Sequence, residues 1–417
     1  MKLTPVQLRE QASQLRTSGE HLAATRIYLA LLKRNPEDYK TRLHLADALA
    51  QVDAAAAIGV YRVVADICTR GGRPAMALVA CRAMEALGGR VDHEVQRLAQ
   101  LYGQGSSRLA ETGAGQLRIR QESYQVDAKE LRSERTVEQL VQEAAEVGSR
   151  VDQLGDLPGR FHPIPLLSEL TPARLAAVIG TIIVHRLPAG HVVFRQGAAG
   201  RSCFLLATGA VAVLARQPGG EESEVATLSD GAIFGEMSLI TASPRSATVR
   251  VSEETDLLEL GPESLAAIGD ELPRVATALD RLAQRRWMAN LMRQSPMFSA
   301  FNDTERLDLL RHFSAHEVAQ GTVLLPQDRE AEGIYLVLRG EVGMFRHAGQ
   351  GPGDLVSRTG PGSTLGLESI VDGRPVTSSA TTLTPATVLF LPAESVRRLV
   401  RAVPELARAI RASAPPL

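Results

Sequence analysis

The residues best suited to do chemistry lie in sixteen consecutive positions, Phe234 to Val249, reading FGEMSLITASPRSATV. Gly235 has no Cβ, so a ligand can approach the backbone closely there. Glu236 to Ile240 can form one short helical turn whose unpaired N–H groups face an anion. Nine residues after Glu236, Arg245 offers a planar fork of donors suited to phosphate oxygens, while Glu236 can accept hydrogen bonds from a sugar hydroxyl. The opposite charges then serve opposite ends of one ligand, a small phosphate diester attached to a ribose. Ser246, Ala247 and Thr248 keep their side chains small beside Arg245 and leave backbone amides reachable. The alternative is a mutual Glu236–Arg245 ion pair in a site that binds nothing.

The order and spacing of the stretch resemble the phosphate-binding cassette of the cyclic nucleotide-binding domain family. That pattern is Phe-Gly-Glu, then small and aliphatic residues, then Pro-Arg-small-Ala-Thr-Val, and it is matched nearly residue by residue. The resemblance implies that Glu236 bonds the ribose 2′-hydroxyl and Arg245 the cyclic phosphate. It also implies that the Gly235, Glu236 and Ala247 amides meet the phosphate oxygens. The ligand-binding set is then Phe234, Gly235, Glu236, Met237, Arg245, Ser246, Ala247 and Thr248. Cyclic AMP is the ligand so implied, with cyclic GMP or a cyclic dinucleotide as alternatives whose phosphates would also suit Arg245. Ser246 does not decide the base, since its hydroxyl could serve guanine or the phosphate edge.

What positions this stretch is an internal repeat. Gly190, Gly209, Gly235, Glu263 and Pro273 recur without a gap as Gly321, Gly340, Gly366, Glu394 and Pro404, each displaced by 131 (321 − 190). Short β-rich runs lie between these markers: HVVFRQG, CFLLATGAVAVLA and TDLLEL in the first copy, TVLLPQD, IYLVLRGEVGMF and ATVLFL in the second. Short strands with glycine corners suggest a closed β-roll. Helical patterns bracket each copy, including one expected to run from Glu263 to Arg293 as a carrier helix. This order resembles the same family, with a helix, an eight-stranded roll and carrier helices, over about 160 to 417. The second copy departs where the chemistry would occur. Glu236 becomes Leu367 and Arg245 becomes Val376, and neighbouring Glu368 and Arg374 are displaced in opposite senses. Each missing charge-assisted bond to a buried phosphate loses roughly 2–3 kcal/mol, so the second roll reads as structural or as an interaction module.

Residues 1 to about 104 carry apolar residues at three- and four-residue steps. Helices are expected near 5 to 17, 21 to 34, 38 to 51, 53 to 70, 74 to 88 and 92 to 103, paired as hairpins. Leu8, Ala12, Leu15, Gly19, Ala24, Tyr28 and Pro36 fall where tetratricopeptide repeats place small residues, aromatics and the closing proline. From Gly103 to about Glu130 the pattern dissolves into a mobile linker. Leu131 to Leu154 is again helical, with Val137, Leu140, Val141, Ala144, Ala145 and Val151 as its apolar stripe. Within the linker, Arg118, Arg120 and Ser123 only poorly match the pseudosubstrate arm of kinase regulatory subunits, because Gln121 and Glu122 intervene.

A chain of 417 residues, 44% hydrophobic and 22% charged, is expected to fold as several globular domains. The net charge of −1 gives no general pull toward nucleic acid or an anionic membrane. Cys68, Cys81 and Cys203 are too few and scattered for a disulfide framework. With no apolar leader and no run of eighteen apolar residues, a cytoplasmic location without membrane contact is expected. His312 and His316, four apart on an expected helix, lack further metal ligands at suitable spacing. Trp287 is assigned to packing between the rolls. No nucleophile–base constellation or phosphate loop appears.

The fold class is therefore α+β and multidomain: an N-terminal all-α helical-repeat domain (1-104), then two β-roll cyclic nucleotide-binding-like domains with flanking helices. A linker (105-159) carries a helix near 131-154. The first roll (160-293) has the intact cassette and the second (294-417) the degenerate one. The expected function is a non-enzymatic sensor of a cyclic nucleotide, coupled to an unknown protein partner through the helical domain or the second roll, with a homodimer as one arrangement. The alternatives are a ligand-independent scaffold and a regulatory subunit of a kinase.

Overall fold

The computed structural model describes residues 2–110, 112–117, 119, 124–127, 131, 135–150, 157–164, 166–216, 222–236, 244–279, 312–347, 353–360 and 362–402. The chain divides into two compact units, Met1–Asp280 and Arg281–Leu417.

The first unit opens with six helices: α1 (Pro5–Thr17), α2 (His21–Arg34), α3 (Tyr39–Leu49), α4 (Ala54–Arg70), α5 (Pro74–Ala86) and α6 (Asp92–Tyr102). Their starts are set locally. Thr4 and Gln7 form a reciprocal capping box, Asp38 and Asp53 accept from the Thr41 and Ala56 amides, and Pro5 and Pro74 occupy the first turn. Successive helices pack on one another, and fully buried Ala24, Ala46, Ala57 and Ala77 let their axes approach.

A seventh helix, α7 (Val137–Gly148), packs on α2, α3 and α4. A Cβ on Gly148 would lie 2.6 Å from Val60, so glycine is what allows this close docking. Arg42, 1% exposed, donates to the carbonyls of Pro36 at 2.7 Å and Val147 at 3.2 Å, and also to that of Gly148. It thereby satisfies the orphan carbonyls at the end of α7. Burial lowers the Arg42 pKa to about 10. The helix is shorter than the expected 131-154, and its packed face is Leu140, Ala144 and Gly148. Val137 is exposed, and Val151 lies outside the described residues.

The expectation of a mobile linker from Gly103 to Glu130 is corrected where that stretch is described. Leu117 is buried and donates its amide to Gly71 at 2.6 Å, and Ala110 donates to Phe161 at 3.0 Å. Strand β2 (Val126–Asp127) pairs with β1 (Lys2–Leu3). Apolar Leu117 and Val126 are both withdrawn from water, Leu117 against Gly71 at the end of α4.

After α8 (Pro172–Thr181) come eight strands: β3 (Ile183–Leu187), β4 (Val192–Phe194), β5 (Cys203–Thr208), β6 (Ala210–Arg216), β7 (Glu222–Ser229), β8 (Ile233–Phe234), β9 (Thr248–Val251) and β10 (Thr255–Leu260). They form two four-stranded sheets, ordered β3-β10-β5-β8 and β4-β9-β6-β7. Phe204, Leu206, Phe234 and Leu257 of the first sheet meet Val211, Val249 and Val251 of the second in one core. Helix α9 (Pro262–Ile268) follows. The single carrier helix expected from Glu263 to Arg293 is interrupted, because Gly269 adopts φ +59° before the chain resumes helix at 272–279. Trp287 lies outside the described residues.

In the second unit the same order returns: β11 (Ser314–Val318), β12 (Val323–Leu325), β13 (Gly333–Arg339), β14 (Val342–Arg346), β15 (Asp354–Thr359), β16 (Thr364–Leu365), α10 (Leu367–Asp372), β17 (Ser379–Thr382), β18 (Ala386–Pro392) and α11 (Ala393–Ala402). Its sheets run β11-β18-β13-β16 and β12-β17-β14-β15, the topology of the first roll moved by 131 residues (314 − 183). His316 sits in β11 beside the Ser314 hydroxyl at 2.8 Å. The helix expected to carry His312 and His316 together is therefore corrected to a turn and a strand.

The helical domain is docked on the first roll. All six residues of β5 are buried, because one face of this strand lines the core and α5 covers the other. Around this apolar contact, acidic residues of the roll meet basic residues of the helices. Asp230 faces Lys40 at 3.0 Å and Arg73 at 3.5 Å, and Glu254 accepts from Ser13 at 2.7 Å and pairs with Arg16. One pair is reversed: Asp47 of α3, 8% exposed, pairs with Arg186 of β3, which also reaches Asp256 of β10 at 3.1 Å. Tyr61 donates its hydroxyl to Asp47 at 2.6 Å.

Candidate functional site

Arg245 is the centre of the candidate site, and it points inward. The residue is 6% exposed; Nη1 donates to the Ser202 carbonyl at 2.8 Å and to the Gly235 carbonyl at 2.9 Å, and Nη2 to Ser202 Oγ at 3.2 Å. Its guanidinium lies 4.2 Å from the Phe194 ring centre and 5.8 Å from that of Phe204. The backbone is fixed as well: Arg245 donates to Ala198 and accepts from Gly197, both at 2.8 Å. The 197–200 loop thus folds over the side chain, and a Cβ on Gly200 would run into the guanidinium. Burial lowers the Arg245 pKa, while Cys203, Glu259 and Glu236 act in the opposite direction.

The other residues of the expected set fall around it. Phe234 is buried and stacks on Phe204 at 5.4 Å between ring centres. Gly235 has φ +77°, and a Cβ there would lie 2.5 Å from Arg245 Nη1. Glu236 is 4% exposed. Burial, with Glu236 adding to it, raises the neighbouring Cys203 thiol to about 12, so that cysteine is an inert core residue. Ser246 is exposed and Ala247 half-buried. The Thr248 hydroxyl is engaged within the roll, donating to Glu222 at 3.0 Å and accepting from the Gln196 amide at 3.1 Å. Met237 lies outside the described residues.

Gly235→Ala is expected to cost about 1–2 kcal/mol of stability, since the new residue would sit at positive φ with its methyl against the guanidinium. A thermal melt checks this, and an unchanged Tm would show that the turn tolerates a side chain.

The second roll keeps the frame and loses the charge. Asp328 donates to the Val376 carbonyl and Val376 to the Arg329 carbonyl, both at 2.8 Å, reproducing 131 residues on the bridge that holds Arg245. Val376 is buried in the apolar core of this roll and Leu367 packs against it. Glu368 and Arg374, the displaced charges, are both exposed. Where the first roll holds a cation, the second holds hydrocarbon.

Sequence reasoning missed Phe194, Ser202, Phe204 and Gly200 as partners of Arg245. Their signal was present but unread: two phenylalanines on early strands of the first copy occupy positions where the second has Leu325 and Tyr335 (194 + 131, 204 + 131).

The family described as "Cyclic nucleotide-binding domain" matches residues 184–271 and 315–402, one match on each roll. The chain thus carries these domains in tandem. It is similar to the cyclic AMP receptor protein of Thermus thermophilus, 36% identical over 122 residues, which are 29% of this chain and 56% of that protein. It is also similar to a cyclic nucleotide-gated potassium channel of Mesorhizobium japonicum, 34% identical over 123 residues, 28% of this chain and 33% of that one. Over a longer span it resembles the cAMP-dependent protein kinase regulatory subunit of Aspergillus fumigatus, 25% identical over 260 residues, 60% of each chain. The chain spans from a third to three-fifths of the length of these relatives. No helix among the described residues is long and apolar enough to cross a membrane.

Proposed function

We propose that the chain is a non-enzymatic cytoplasmic sensor whose first roll binds one cyclic nucleotide, cyclic AMP by preference over cyclic GMP or a cyclic dinucleotide. Arg245 grips the phosphate, Glu236 the ribose hydroxyl, and the amides of Gly235, Glu236 and Ala247 the remaining phosphate oxygens; Phe234, Met237, Ser246 and Thr248 complete the site. The observation that carries this reading is the contrast between the rolls, in which an identical backbone bridge holds a buried arginine in one and a core valine in the other. A buried guanidinium beside a buried carboxylate is costly unless it has a task.

The output passes through the tetratricopeptide-like helical domain, which is packed on the sheet that carries Phe204 and Phe234 and is suited to dock a protein partner. For this to work, the ligand must favour one arrangement of that contact by a few kcal/mol. Isothermal titration of the full chain with cyclic AMP, cyclic GMP and a cyclic dinucleotide is expected to show one site per chain, tightest for cyclic AMP. No heat from any of the three at millimolar concentration retires the proposal in favour of a ligand-independent scaffold.

Similarity to a kinase regulatory subunit over 260 residues supports a second reading, in which the partner is a protein kinase. The arm considered for that role, 118–124, lies mostly outside the described residues. Inhibition of a cyclic-nucleotide-dependent kinase catalytic subunit, relieved by cyclic AMP, is its test.

A further inference from the structure

Away from the cassette, the first unit holds a cavity of about 460 Å³ where α4 and α6 meet residues 108 and 157–161 of the connecting segment. Arg70 from the end of α4, Arg97 from α6 and Arg108 from the segment after it all line this space. Among the described lining residues there is no carboxylate. Asp66 stands behind them, accepting from Arg70 at 3.0 Å and Arg97 at 2.5 Å, so one negative charge answers three positive ones.

The rest of the wall combines Gln100 with Leu101, Leu157, Pro158, Gly159 and Phe161, and Phe161 is firmly placed. Phe161 is 1% exposed, stacked on Tyr102 at 5.0 Å and covered by the Arg108 guanidinium at 5.1 Å. The backbone around it is tied by the bonds of Phe161 to Arg108 at 2.8 Å and of Ala110 to Phe161 at 3.0 Å. Arg108 also donates to the Pro158 carbonyl at 3.2 Å. The Arg70 and Arg97 side chains are 42% and 43% exposed, so both can be reached from solvent.

Three guanidinium forks from separate elements, gathered round a hollow of ligand size, match a compact body bearing an oxyanion. We propose that this cavity is a second ligand site, for a small organic anion carrying a phosphate or carboxylate group. It does not depend on the cassette, since all of its residues precede the first strand of either roll.

The test uses the full chain titrated with ribose 5-phosphate and, separately, with citrate, which distinguish the phosphate from the carboxylate source. One of them is expected to bind with a Kd below millimolar, more weakly as salt rises. The double variant Arg97→Ala/Arg108→Ala is expected to lose at least tenfold in affinity, and Arg374→Ala, at an exposed position of the second roll, to lose nothing. Gly159→Leu offers an uncharged check, because it adds bulk at a lining position where a Cβ meets nothing within 4 Å; it too should weaken binding. Far-UV circular dichroism confirms that each variant is folded. Failure of both probes to bind, or affinity unchanged in the double variant or in Gly159→Leu, overturns the proposal.

Discussion

Arg245→Ala is expected to weaken cyclic AMP binding by more than a hundredfold, about 3 kcal/mol, because a buried phosphate would lose its charge-assisted partner. The structure adds a second effect. Arg245 also holds the Ser202 and Gly235 carbonyls and lies against Phe194, so the alanine variant should melt earlier even without ligand. Arg245→Lys separates the two. It keeps the charge and some of the packing, but an ammonium cannot reproduce a planar fork shared among several acceptors. It is expected to recover part of the stability and little of the affinity. Titration calorimetry paired with ligand-free melts reads both quantities, and an alanine variant that binds cyclic AMP like the parent would place the phosphate elsewhere.

The second large effect concerns the contact between the helices and the first roll. Asp47→Ala is expected to cost about 2–3 kcal/mol, a little less than the breaking of a fully buried ion pair, since the Arg186 side chain is 33% exposed. It would also leave the Tyr61 hydroxyl without its carboxylate acceptor. A fall in Tm of roughly 5 °C or more should follow.

The two carboxylates that share Arg186 behave oppositely with pH. Burial pushes the Asp47 carboxyl up, but Arg186 and His44 more than reverse this and hold it below the usual carboxylate range. Its stabilising contribution is therefore complete above the unfolded value, about 3.9, and is lost only as pH falls through the lower folded value. Burial raises Asp256 in spite of Arg186. Its ionisation therefore opposes folding, and the loss grows as pH rises through a folded value above the ordinary one. Asp256→Asn is accordingly expected to cost less than half as much as Asp47→Ala near neutral pH. Denaturant melts at several pH values check the order; equal costs would show that Arg186 makes no distinction between them.

Much of this architecture could be read from residues alone, and the reasons are local. Pro5, Pro74, Thr4, Asp38 and Asp53 mark helix starts through their own backbone chemistry, so α1 to α6 fall within two residues of the expected ranges. The constant offset between glycines made the two rolls visible without any knowledge of contacts. What escaped notice depends on partners distant in sequence. The run CFLLAT is apolar at successive positions rather than alternate ones, which signals a strand covered on both faces. That reading would have demanded a lid over the sheet, the place α5 occupies. Nothing in the local sequence pairs Asp47 with Arg186, 139 positions apart. Nor does an arginine's position tell whether it faces a ligand or its own backbone, and here it faces Ser202 and Gly235.

The valine at 376 bears on how a cell would read this protein. On the proposed reading, in which only the first of the two cassettes grips a cyclic nucleotide, its occupancy should climb hyperbolically with a Hill coefficient of one, across roughly two decades of ligand concentration. Any sharper, threshold-like response would have to arise between copies of the chain, or in whatever the helices engage.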